Sequence, residues 1–180
     1  MDGIIGDVPL NRLDIFAEKL RGILEPEETA RFLGTAVYVV GDEQLGPDRP
    51  RFDVDLSDMV LGVPTPYVQS KVNDFMLGRS LVGDHGCQAE SLARILIGPR
   101  DLVVTDRRLL VLDGADFRIL WQASRTEVLA ASPAPRFGQA GRVRLVLADG
   151  SALAVVLGMV FAGRAARFLA ALRPVAGELR

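Results

Sequence analysis

The chain has 180 residues, 49% apolar and 24% charged, which is ordinary for a globular protein and excludes a disordered or low-complexity one. Its formal charge of −2 hides an asymmetry. Residues 1–97 carry 16 acids against 9 bases, and residues 98–180 carry 7 acids against 12 bases, all arginine. With a sequence pI near 5.5 and no basic stripe interleaved with aromatics, no nucleic-acid partner is expected.

The longest uncharged stretch, Gly150 to Gly163, spans 14 residues, short of the ~20 that a bilayer helix needs. Met1-Asp2-Gly3 opens on an acid with no apolar run behind it, and Cys87 is the only cysteine, so a reducing, cytoplasmic location is expected.

In chain order, Asp7 can cap a helix over 8–24 with Pro9 in its first turn. Leu10, Leu13, Phe16, Ala17, Leu20 and Leu24 form its apolar stripe. Arg31 to Val40 is aromatic and β-branched and reads as a strand. An insertion is expected over 41–97. It holds a loop over 41–50, an alternating strand (Phe52, Val54 and Leu56 against Asp53, Asp55 and Ser57) and a helix from Thr65-Pro66 to Gly78. Within that helix Tyr67, Phe75 and Met76 read as core. A turn at Gly83–Gly86 and a helix over 88–97 complete the insertion.

From residue 100 the pattern is all-β. Leu102–Thr105 and Leu109–Leu112 flank a polar Asp106-Arg107-Arg108 turn, and strands over 117–122 and 127–132 follow. Arg142–Leu147 and Ser151–Leu157 form the clearest hairpin. A three-residue loop with Gly150 left-handed sets Leu145 against Leu153 and Val143 against Val155. That register pairs large apolar side chains better than a two-residue turn does. Phe161, Ala165, Phe168, Leu169 and Leu172 then make an amphipathic helix ending before Pro174.

Two stretches carry a family resemblance. Asp101-Leu102-Val103-Val104-Thr105-Asp106-Arg107-Arg108-Leu109-Leu110-Val111-Leu112 resembles the L-x-x-T-D-x-R-L hairpin of bacterial pleckstrin-homology (PH)-like and GRAM-like domains. Ile119-Leu120-Trp121 followed by Glu127-Val128 is similar to that family's next strands. The Asp149-Gly150 hairpin and Phe168–Leu172 complete the order over about 98–173, and Leu24–Glu28 resembles the lead-in to a first strand. The resemblance implies an α+β fold: a single PH-like domain over 1–180, a split β-barrel or sandwich with a C-terminal capping helix, carrying the N-terminal helix and the inserted α+β segment. It also implies a non-catalytic interaction module that recruits a protein partner or self-associates as a homo-oligomer.

Arg107, Arg108, Arg142 and Arg144 are the candidate ligand-binding residues. Arg107-Arg108 at a hairpin tip can meet phosphate or carboxylate, or can solvate the turn while one packs across it. Arg142 and Arg144 share one face of a strand, where they make a basic patch with Arg118 or Arg136, or a solvated outer face. If the four converge, the alternative function is peripheral binding to anionic lipid head groups. In lipid-binding PH domains the grip comes from a basic pattern over the first two strands. Here the segment between them carries Asp42, Glu43, Asp48, Asp53, Asp55 and Asp58, which ranks protein recruitment first. His85 and Cys87 supply too few ligands for zinc and lack an orienting group for a nucleophile, so they read as a turn with a half-buried thiol. No catalytic residue, metal or cofactor is expected, and no G-x-S-x-G, P-loop or G-x-G-x-x-G occurs.

Overall fold

A computed structural model describes residues 12–46, 59–60, 63–64, 79–160 and 162–173. The expected strand around Phe52–Leu56 and helix from Thr65 to Gly78 lie outside these residues, as does the start of the N-terminal helix.

Two short helices, α1 (Arg12–Ile15) and α2 (Ala17–Arg21), stand where one was expected. The break falls at Phe16, whose φ of −105° and ψ of 11° leave the helical region. Its ring packs at 5.2 Å on Phe117, so a tertiary contact outweighs the helical stripe there. Glu27 then takes a φ of 66° and turns the chain into the first strand.

The strands are β1 (Ala30–Tyr38), β2 (Glu43–Leu45), β3 (Met59–Val60), β4 (Val63–Pro64), β5 (Leu81–Gly83), β6 (Arg100–Thr105), β7 (Arg108–Leu112), β8 (Ile119–Ser124), β9 (Val128–Pro133), β10 (Arg142–Leu147) and β11 (Ala152–Val156). Helix α3 (Gln88–Ile95) precedes β6, and α4 (Gly163–Ala171) follows β11. Nine strands make one mixed sheet, and β3 and β4 form a separate pair. One wing runs β1-β6-β7-β8 and the other holds β9-β10-β11 with β5 and β2. They join where Val37 and Tyr38 of β1 meet Val156 and Val155 of β11. The sheet is α+β and open. Among the described residues it does not close into a barrel: β8 pairs with β7 alone and β9 with β10 alone, which leaves a seam between them. There a single 3-10 turn (Arg125–Glu127) replaces a strand connection, and Arg125 donates to the carbonyls of Ala171 and Leu172 at the end of α4.

The inner faces of both wings share one core. Phe32, Leu102, Leu109 and Val111 meet Val143, Leu145, Leu153 and Val155, with Leu92 of α3, Leu96 just after it and Phe168 of α4 between them. Phe168 packs edge-on against Phe32 at 5.4 Å. The outer faces are covered too. Leu33, Val103, Leu110 and Phe117 lie under Leu20 of α2, and Val82, Ala130, Val146, Ala152 and Ala154 form a third cluster. That two-sided cover explains the unbroken apolar runs of β6, β7 and β11, since strands buried on both faces lose their alternation.

The last hairpin takes the expected register. Leu145 faces Leu153, Val143 faces Val155, and Gly150 is left-handed at a φ of 74°. Its tip docks on α3, where Asp149 Oδ2 and Ser151 Oγ accept the N–H groups of Gln88 (2.8 Å) and Ala89 (3.1 Å). Cys87 Sγ accepts that of Glu90 at 3.3 Å, so the thiol caps a helix. The sequence pattern shows none of the short strands β2, β3, β4 and β5, of which β2 and β5 join the main sheet. These two pair in parallel with each other, and β5 pairs with β11, so these described parts of 41–97 belong to the main sheet.

Candidate functional site

The four arginines singled out by sequence lie in two separate settings. At the β6–β7 turn, Thr105 Oγ1 accepts the N–H groups of Arg107 (3.0 Å) and Arg108 (2.7 Å) and donates to Glu28 Oε1 at 2.7 Å. Arg108 reaches across to Glu28, at 3.0 Å from Nε to Oε1 and 2.5 Å from Nη2 to Oε2, and also meets Gln122 and Glu25. Burial pushes the Glu28 carboxyl up. Hydrogen bonds from Arg108, the Glu25 N–H and Thr105 more than reverse this and hold it at about 2. Arg107 is exposed and stands 3.5 Å from Glu25. This turn is a structural clasp between β1's lead-in and the hairpin.

Arg142 is the opposite of a solvated residue, at 2% exposure. Its guanidinium donates to the carbonyls of Ala134 (3.5 Å) and Arg79 (3.1 Å) and to Ser80 Oγ (3.4 Å), tying the start of β10 to the approach to β5. Burial, with Arg136 and Arg144 nearby, lowers it to about 10, so it stays charged at neutral pH. Arg144 is likewise lowered by burial and by Arg136, and it is engaged within the chain. Close by, burial and donation to Glu43 at 2.6 Å raise the Tyr38 hydroxyl well above its ordinary value. The outer face expected to be wet is buried, with Val82, Ala130, Val146, Ala152 and Ala154 forming an apolar cluster on it, and the buried Arg142 turns to backbone carbonyls.

A different surface is left open. The turn from Arg136 to Gln139 carries Phe137 at its tip, fully exposed. Beside it runs the segment after β11: Ala140 N–H donates to Met159 O at 3.1 Å, and Gly141 N–H to Gly158 O at 2.9 Å. Gly141 permits this closeness, since a Cβ there would stand 2.7 Å from Gly158 O. Met159 and Val160 are exposed on that segment. An ion pair between Arg136 and Asp42, at 3.7 Å, draws in the corner after β1, where Val40 is also exposed. The turn with Phe137 and the segment with Met159 and Val160 thus lie side by side, and the ion pair links that turn to the corner that exposes Val40. Sequence reading passed over them, although an aromatic flanked by Pro135 and Gly138 was a usable signal.

His85 is exposed, and among the described residues no three His, Cys, Asp or Glu side chains group as metal ligands would. Among the same residues no helix is long and apolar enough to cross a membrane. Comparison with known protein families and with curated proteins found no match.

Proposed function

We propose that the chain is a non-catalytic interaction module of the PH-like kind, recruiting a protein partner through the surface built by Val40, Phe137, Met159 and Val160. The PH-like reading rests on order. A four-strand meander (β1, β6, β7, β8) and a three-strand one (β9, β10, β11) are followed by a helix at the open seam, in the sequence the family resemblance implies. The single observation that carries the binding reading is Phe137, an aromatic held fully in solvent by a braced turn among other exposed apolar side chains. Contiguous exposed apolar patches mark interaction sites, and aromatic anchors dominate interface energetics.

A partner of another kind fits better than a second copy in a two-fold dimer. Arg164 stands in the first turn of the following helix, which carries no acidic residue, so patch-to-patch symmetry would bring like charges together. Lipid binding through Arg107, Arg108, Arg142 and Arg144 gains little support, because all four are engaged inside the chain.

The test places a photo-crosslinking phenylalanine analogue at position 137 in the expressed protein. The reading expects one dominant adduct with a second protein, identified by mass spectrometry and rebound from pure components. Adducts of twice the chain mass would assign the face to self-association. Absence of any adduct, with a monomer by light scattering, would remove the binding role of this face.

A further inference from the structure

A cleft of about 380 Å³ opens between α1, the start of β1 and α4, and four of its nine lining residues are arginines: Arg12, Arg31, Arg164 and Arg167. Among the described residues no carboxylate lines it, though Asp101 pairs with Arg12; Leu13, Ala170 and Ala171 line the rest, with Phe32 and Leu33 buried beneath. Each arginine is delivered by a separate feature of the local structure. Arg12 is locked in place, its guanidinium donating to both oxygens of Asp101 (2.9 and 3.2 Å) and to Thr35 Oγ1 (2.8 Å). Arg31 is the extra residue of a β-bulge, since Ala30 pairs with Thr105 and Phe32 already with Val104. A bulge re-aims the side chain it adds.

Arg164 and Arg167 lie three apart on α4, on one side of the helix and both exposed. Their placement runs against helix electrostatics. Like charges at this spacing repel, a cation in the first turn opposes the helix dipole, and α4 has no acidic residue to offset either. Local rules broken together in this way are expected at functional or strained sites.

We propose that this cleft takes an acidic peptide segment of the protein partner, with carboxylates on the exposed Arg164 and Arg167 and an apolar side chain against Leu13 and Ala170. This rests on the reading of the chain as a protein-binding module and names the partner's chemistry. The partly open apolar rim at Leu13 and Ala170 gives a peptide side chain a contact that an inorganic anion lacks. Position favours it too: Met159 and Val160 of the exposed patch end only a few residues before Arg164, so one extended segment can cover both. Arginine forks recognise carboxylates with two parallel hydrogen bonds, and arginine clusters are a recurring means of reading acidic motifs.

The test is fluorescence polarisation with a labelled nonapeptide, Glu-Glu-Asp-Leu-Phe-Asp-Glu-Glu-Gly, against the same peptide with Gln and Asn for its acids. The acidic peptide is expected to bind at least tenfold tighter. Arg164→Gln with Arg167→Gln should weaken it at least tenfold while leaving the thermal melt unchanged. Arg94→Gln with Arg118→Gln, an equal loss of charge elsewhere, should weaken it less than threefold. Equal binding of the two peptides, or equal loss in the two double variants, would overturn the proposal. So would saturable binding of inorganic phosphate or phosphatidylserine vesicles with none of the acidic peptide. Crosslinking from position 137 reports separately on the exposed patch, so either idea can fail alone.

Discussion

Replacing Glu28 by Gln tests the clasp that joins the lead-in of β1 to the β6–β7 turn. The carboxylate is fully buried and accepts from Arg108, Thr105 and the Glu25 N–H. It is held at about 2 against an ordinary 4.5. A carboxyl depressed in the folded state stabilises the fold above its unfolded pKa and loses that contribution as pH falls toward the folded one. The window is therefore about pH 4.5 down to 2, and the full contribution above it is about 3 kcal/mol. Gln keeps the shape but turns a donor toward Arg108, so Glu28→Gln should lose about 3 kcal/mol at pH 7. Urea melts of both proteins at pH 3, 5 and 7 check this, and the gap should shrink to about half by pH 3. A gap under about 1 kcal/mol at pH 7, or one unchanged at pH 3, would refute the reasoning.

Phe168→Ala removes a fully buried ring that packs on Phe32 at 5.4 Å, and should cost about 3–5 kcal/mol in denaturant melts. A loss under about 1 kcal/mol would mean that α4 contributes little to the core. Gly141→Ala sets a Cβ 2.7–2.8 Å from the backbone of Gly158, so it should cost about 1–3 kcal/mol and, by spreading two loops of the exposed patch, weaken partner binding as well. A stability loss without a binding loss would separate the loops from the contact. His85→Ala with Cys87→Ala removes an exposed ring and one helix cap. It should lower stability by about 1 kcal/mol and leave partner binding intact, and stoichiometric metal in the wild type, lost in this variant, would contradict that.

What was legible in the sequence was set by neighbours in the chain. Asp149-Gly150 between alternating residues fixes one hairpin register, and a polar triplet between two apolar runs marks the β6–β7 turn. Strands β2 and β5 are three residues each and exist because β11 offers an edge, a long-range fact with no local signal. Helix 8–24 failed as a single element because Phe16 finds Phe117. The arginine pair on β10 was read as wet from Val143 and Leu145 alternation alone. The small residues Ala130, Ala152 and Ala154, buried on the other face with Val146, were the overlooked sign of cover. Exposure of Phe137 depends on which loops lie together, and only the assembled backbone bonds around Gly141 decide that.

We propose that this chain binds a protein through Phe137 and its neighbours. The most direct measurement of this is the affinity of the crosslinked partner, purified, for the wild-type chain and for Phe137→Ser with Val160→Ser. Loss of a buried aromatic anchor is worth about 2 kcal/mol or more, so affinity should fall about thirtyfold or further with the melting temperature unchanged. A change under about threefold, or an equal fall for the remote Asp116→Ser control, would contradict the account.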